Sequence, residues 1–283
     1  MNLVPSSSVS GLSGQRRIVL LAPAISAVPR EFAEAVVSSS DHAYLLSQMQ
    51  RLRGSIYLQD GAITEDQLTA DGRHEQAADH DSWHLLAVAA DGVVQGCARY
   101  RGYREPVVFD ALGVSRSAMA ICDKWGIKLR GAIEADIADA QRRGVTYVEV
   151  GGWALTPDLR CSTEALRIAL ATWGLARVLG GCIGVTTATR RHCSASILRK
   201  IGGRSLAIDG QELPHYFDPV YGCDMEILRF DSDAPNPRFE GWVEQWARHL
   251  LTAPIICASA HPSQRKRPVA RPAAYEPALV QQF

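Results

Sequence analysis

Apolar residues recur at helical spacing over Leu45, Leu46, Met49 and Leu52, directly behind the good N-cap residues Ser38, Ser39, Ser40 and Asp41. This pattern predicts an amphipathic helix that ends near Arg53 and Gly54. Beyond it the period changes to two. Trp83 to Ala89 and Val93 to Tyr100 read as strands joined by Asp91-Gly92, a strong hairpin turn. Leu129, Ile133 and Ile137 share one helical face, and Gly144 suits the position that closes such a helix. The β-rich run Val145 to Val150, the almost wholly apolar helix Thr163 to Leu179 and the run Cys182 to Thr187 predict a β-α-β unit with a parallel pair. A short helix, Ala195 to Ile201, stops at Gly202-Gly203. Asp224 to Phe230 predicts a last strand, and Trp242, Trp246 and Leu250 mark a last amphipathic helix.

The two ends lack such periods. Residues 1–30 are rich in Ser, Gly and Pro and read as a flexible arm, and residues 254–283 read as a disordered tail with a solvated basic cluster at Arg265, Lys266 and Arg267. One domain over residues 31–253 is expected between them. Arg16 and Arg17 before the apolar stretch Ile18 to Val28 superficially read as a targeting signal, but Pro23 and Ser26 interrupt it.

Composition narrows the function classes. The 283 residues are 47% hydrophobic, enough for a sizeable core, and 30 basic side chains match 30 acidic ones. Nothing in that balance calls for nucleic acid or an anionic membrane, and no apolar run approaches the roughly 20 residues of a membrane span. Seven cysteines without a C-x-x-C pair read as buried thiols of a reducing compartment, so a cytoplasmic location is expected. The histidines form no metal-binding spacing, and no metal is expected. His192-Cys193 are adjacent, whereas a catalytic Cys and His normally meet from separate segments.

Candidate chemistry concentrates after Val150, where Gly151-Gly152-Trp153-Ala154-Leu155-Thr156-Pro157-Asp158-Leu159-Arg160 leads through Ser162 and Thr163 into the long helix. A strand feeding a helix through a polar turn offers free backbone N–H groups and a positive dipole end, which suit a phosphate. Arg160 adds a cation, and Ser162 or Thr163 a hydroxyl donor. The plainer alternative makes Ser162 an N-cap and Arg160 a surface residue.

The order of elements, together with this turn and the later Ser194-Ala195-Ser196-Ile197-Leu198-Arg199-Lys200-Ile201-Gly202-Gly203, resembles the GNAT acyltransferase superfamily. The family's Q/R-x-x-G-x-G/A turn is matched at its first and last positions by Arg160 and Ala165, while Thr163 stands where Gly is usual. Thr163 leaves the backbone less room to approach a pyrophosphate. Arg53 to Tyr57 before Asp60, Trp83-His84-Leu85-Leu86, Gly96-Cys97-Ala98-Arg99 and Glu149 before Trp153 resemble the acyl-homoserine lactone synthases and N-acyl amino acid synthases. The resemblance implies an α/β (α+β) fold with a mixed, mostly antiparallel central sheet flanked by helices and one parallel β-α-β unit. It also implies transfer of an acyl group, by preference a fatty acyl group, from an acyl carrier protein or coenzyme A thioester to the amine of an amino acid or similar small amine. An acetyl-coenzyme-A-dependent N-acetyltransferase and a non-catalytic ligand-binding module of the same fold are the alternatives.

Roles follow for individual residues. Glu149 is the candidate to orient or deprotonate the amine, with a solvent-facing carboxylate as the plain alternative. The resemblance implies a backbone N–H near Trp153 or Leu155 as oxyanion donor, and Trp153 is either an acyl-pocket wall or a packed core residue. Arg160, Ser162, Thr163 and Ala165 are assigned to the donor. Arg99 and Arg53 are assigned to an acceptor carboxylate, with surface salt bridges as the alternative. Arg190, Arg191 and His192 are expected near the exit of a pantetheine arm, facing an acidic carrier helix or flanking a helix cap. Asp71-Gly72-Arg73-His74 reads as a turn in a long polar loop that lids the acceptor.

Overall fold

A computed structural model describes residues 16–24, 27–103, 106–160 and 162–259. The chain enters through β1 (Arg17–Leu21) and β2 (Ala35–Val37), continues into α1 (Ser39–Gln59), and forms the hairpin β3 (Trp83–Val88) and β4 (Val94–Tyr103) before α2 (Gly126–Arg143). The β-α-β unit is β5 (Thr146–Leu155), α3 (Glu164–Val178) and β6 (Cys182–Thr189). After α4 (Ser194–Ile201) come the short strands β7 (Arg204–Ser205), β8 (Ala207–Ile208), β9 (Gln211–Glu212) and β10 (Tyr216–Asp218). β11 (Cys223–Asp231), α5 (Glu240–Leu250) and β12 (Ile255–Cys257) complete the order.

One sheet runs β10-β11-β6-β5-β4-β3-β1-β12-β2, with β7 also on β11, and β8 and β9 form a separate ribbon. The fold is mixed α/β with a mostly antiparallel central sheet, as the sequence predicts. The β5–β6 pair is parallel, and so are β1–β12 and β12–β2, which the sequence pattern did not predict. α1 packs Leu46 and Met49 on Val19 and Leu86, and α2 packs Leu129 and Ile133 on Tyr147 and Ile183, both on one face. α3 buries Ile168, Trp173 and Leu175 on the other, with Val243 and Leu250 of α5.

Four boundaries depart from the pattern. Residues 17–21, assigned to a flexible arm, form β1, and Ile18 to Leu21 are at most 3% exposed because a strand lies on either side of them. Ile255–Cys257, assigned to the tail, supply one of those strands. Of the remaining calls of arm and tail, those on residues 1–15, 25–26 and 260–283 lie outside the described residues. α1 begins where expected, with Ser38 as N-cap accepting from the Asp41 N–H at 3.3 Å, but runs through Gly54 to Gln59. Gly54 is there for close approach and not for termination: a Cβ at that position would stand 2.7 Å from the Gly72 carbonyl oxygen. β5 likewise continues past Val150 to Leu155, so residues 151–155 are strand and the polar turn is confined to 156–163.

Candidate active site

The continuation of β5 creates the site. β5 pairs with β6 from Thr146↔Cys182 to Val150↔Thr186, and there the register stops, although both strands run on. β5 stays on β4 through a register shift between Cys97 and Arg99, opposite Gly151 and Gly152. Gly152 has φ +61°, and a Cβ there would approach the Arg99 Cβ to 3.2 Å, so the bulge needs glycine. The bulge carries β5 away from β6 and opens a wedge between two parallel strands. Thr156 N–H donates to the Gln95 carbonyl, and the Ala154 N–H faces the Cys97 sulfur, both toward β4. Backbone N–H groups alternate along a strand, so those of Trp153 and Leu155 point into the wedge.

A cavity of about 810 Å³ fills this wedge and reaches both faces of the sheet. On the α1/α2 face its wall is polar, with Gln76, Asp81, Arg99 and Glu149; on the α3 face it is apolar, with Ala165, Ile168, Trp173, Leu198, Leu228 and Phe230. Glu149 accepts from the Tyr103 hydroxyl at 2.6 Å, the Gly113 N–H at 2.9 Å and the Val114 N–H at 3.0 Å. A carboxylate offers about four acceptor positions, which leaves one for an amine in the cavity. Burial first, then the Glu149 charge, pushes the Tyr103 hydroxyl well up, so it stays protonated and donating.

Behind the polar wall lies a buried charge cluster. Arg53 and Asp79 are both 0% exposed and joined by two hydrogen bonds of 2.8 and 2.6 Å, and Gln50 adds a third donor to Asp79 at 3.1 Å. Arg99, from β4, donates to Gln76 and reaches Asp79 at 3.4 Å. Burial alone would raise the Asp79 carboxyl, but the Arg53 hydrogen bonds and charge overcome it and hold it far below the usual carboxylate range. Burial pushes His84 down to about 4, and its Nε2 donates to the Asp79 carbonyl oxygen at 2.8 Å. It is a neutral structural histidine. Burial also pushes the Cys97 and Cys182 thiols up to about 11 and about 12, so neither is a nucleophile at neutral pH.

The wedge brings Glu149, Trp153, Leu155, Arg160, Ala165 and Arg99 to one cavity. Arg53 does not reach it: the side chain is sealed against Asp79 and the His74 carbonyl, and it supports Arg99 from behind. Ser162 and Thr163 are absent from the wall. The Ser162 hydroxyl donates to the Leu159 carbonyl at 2.8 Å and accepts from the Glu164 N–H at 3.1 Å, a local turn, while Thr163 is the residue before α3. Arg160 pairs with Asp60 at 2.9 Å and is not free. Trp153 packs against the core and also faces the cavity. His192 faces Asp60 at 3.5 Å.

The Asp71 to His74 stretch is not a loose lid, since Arg51 and Arg73 hold Asp71 at 2.7 and 2.9 Å and the His74 N–H donates to Gln50. Asp79, Gln76, Tyr103 and Asp60 take part without having been assigned roles. The one signal for Asp79 was Arg53 itself, a cation on the apolar face of a helix that requires a buried partner. Among the described residues no group of three or more His, Cys, Asp or Glu is placed to hold a metal, and no helix is long and apolar enough to cross a membrane.

No protein-family profile and no curated protein matches the chain. Among solved structures it is similar to a CoA-dependent acyl-homoserine lactone synthase, BjaI, with SAM and isopentyl-CoA, at 13% identity and TM-score 0.49, over 89% of this chain and 95% of the other. FeeM, an N-acyl amino acid synthase from uncultured soil microbes, is similar at 13% identity and TM-score 0.41, over 70% and 88%. Arylalkylamine N-acetyltransferase 2 from Aedes aegypti is similar at 12% identity and TM-score 0.43, over 76% and 99%. At these identities and TM-scores the likenesses carry no functional argument; the chemistry of the cavity does.

Proposed function

We propose that the chain is an N-acyltransferase that moves an acyl group, by preference a fatty acyl group, from a carrier-protein or coenzyme A thioester to a small amine such as an amino acid. The observation that supports this most strongly is one cavity whose polar and apolar ends meet beside the backbone N–H groups of a strand that has left its neighbour. A thioester lying in the wedge places its acyl chain along Ile168, Leu228 and Phe230, where burial contributes about 0.8 kcal/mol per methylene. Its carbonyl oxygen lies beside the Leu155 N–H, which offsets the charge that develops there. An acetyl group would leave that apolar limb bare.

The acceptor enters from the polar end. Its amine, oriented or deprotonated by Glu149 directly or through water, attacks the carbonyl carbon; the C–N bond forms, the C–S bond breaks, and the amine's proton ends on the departing thiolate. Arg99 faces the acceptor's carboxylate, since one Asp79 serves both the buried Arg53 and the partly buried Arg99 and leaves Arg99 under-neutralised.

The test uses cells overproducing the protein or its variants, analysed for new N-acyl amines, and then purified protein with the identified substrates. Glu149→Gln is expected to lower kcat about a hundredfold. Arg99→Ala is expected to raise the acceptor KM about tenfold with a smaller change in kcat. Full turnover in both variants sinks the assignments, and no product from any thioester with the unmodified protein sinks the function.

A further inference from the structure

The cavity's rim carries an ion cluster that the reaction as outlined does not use. Asp60 is the C-cap of α1, and its carboxylate meets Arg160 Nη2 at 3.0 and 2.9 Å and His192 Nε2 at 3.5 Å. Arg191 Nη1 donates to the Asp60 carbonyl at 3.0 Å. Arg160 comes from the turn after β5, and Arg191 and His192 from the turn after β6, so Asp60 bridges the two sides of the wedge. All four residues line the cavity.

Asp60 does not serve its own helix. A negative charge at a helix C-terminus opposes the macrodipole, and the last turn of α1 contains no basic residue to compensate. The compensation comes from the rim, where Arg160 and His192 meet the carboxylate and Arg191 holds the Asp60 backbone carbonyl. The carboxylate engages Arg160 through a single nitrogen, with side-chain exposures of 25% for Arg160 and 20% for Asp60, so water and solutes reach the pair. A phosphate oxygen arriving at Arg160 Nη2 would need the place that Asp60 holds.

Resting on the thioester-donor reading above, we infer that Asp60 is an internal competitor for donor phosphate and is the residue that selects against donors presenting a pyrophosphate at this rim. A donor thiol arm without that group loses nothing to Asp60. One that carries it must first displace a carboxylate from Arg160 and His192.

Calorimetric titration of the folded protein with inorganic pyrophosphate, coenzyme A and pantetheine tests this. In Asp60→Asn, pyrophosphate and coenzyme A are expected to bind about tenfold tighter, with pantetheine within about twofold of the unmodified protein. Asp60→Glu should retain the original affinities. Arg160→Gln in the Asp60→Asn background should cancel the gain. Structural damage does not produce tighter binding of an anion alone, so the gain separates selection from a purely structural role. Asp60→Ser is the second variant if Asp60→Asn does not fold. No gain for pyrophosphate and coenzyme A in the folded variant, or an equal gain for pantetheine, overturns the inference. Tighter pyrophosphate without binding of coenzyme A or pantetheine upholds the rim competition while removing the thioester reading.

Discussion

Two arginine–aspartate pairs draw on the same helix about two turns apart, and they are opposites. Arg53 of α1 meets Asp79 with both side chains 0% exposed; Asp60, at the end of α1, meets Arg160 at the cavity rim with both sides partly wet. The first pair is closed by further hydrogen bonds from Gln50 and to His74, and no solute reaches it. It fixes where Arg99 stands. The second is held by one nitrogen of Arg160 at a partly solvated rim, so an anion can take over its contacts. One electrostatic motif therefore serves as architecture at one end of the cavity wall and as an exchangeable contact at the other.

Breaking the buried pair is the strongest challenge to this contrast. Arg53→Met is expected to destabilise the protein by about 3–5 kcal/mol, because Asp79 is left charged in a dry site with Arg99, at 3.4 Å, as its remaining guanidinium partner. Arg53→Met with Asp79→Leu should recover much of the loss. Denaturant unfolding measures both, and a single-variant loss under about 1 kcal/mol would erase the distinction.

Acid sharpens it next. His84 beside the pair is held neutral with a folded value of about 4, whereas an unfolded histidine takes its proton near 6.5. Its contribution is complete above pH 6.5 and is lost as the pH falls toward 4, by about 3 kcal/mol. The depressed Asp79 carboxyl adds a separate loss below pH 4, as the unfolded chain protonates first. Unfolding between pH 4 and 7 should show the first slope, and His84→Gln should remove it; an unchanged slope would show that other groups set it.

The smallest effect belongs to the rim. Asp60→Asn should change stability by less than about 1 kcal/mol, as an exposed pair does, and thermal unfolding would show it. A loss above about 2 kcal/mol would make the rim pair structural too.

Legibility in the sequence followed the same division. Elements with a clear period, such as α2 ending at Gly144 and the hairpin around Asp91-Gly92, stand where the pattern put them, because each is stabilised by its own neighbours in sequence. β1 and β12 were missed because each is short and stabilised by pairing with distant segments. Glu149 and Arg99 were readable as charged residues within strands, and Trp153 as an aromatic beside a candidate phosphate turn, although it stands in the strand itself. Asp79 and Asp60 were not, since a carboxylate in a polar stretch looks the same whether it faces solvent or a guanidinium from residues far away. The wedge itself depends on a one-residue register shift at Gly152, which no period announces.

The insertion of β12 between β1 and β2 bears on how the chain is made. β1 can pair with β3 as soon as the hairpin segment has emerged from the ribosome, but its other edge waits for Ile255, more than 230 residues further along the sequence. Until then a strand as apolar as Ile18–Leu21 presents a bare row of amide and carbonyl groups, the kind of edge on which nascent chains stick to one another. Among the described residues the last strand in sequence is the one that closes the first, so a nascent chain carries this open edge until Ile255–Cys257 has emerged.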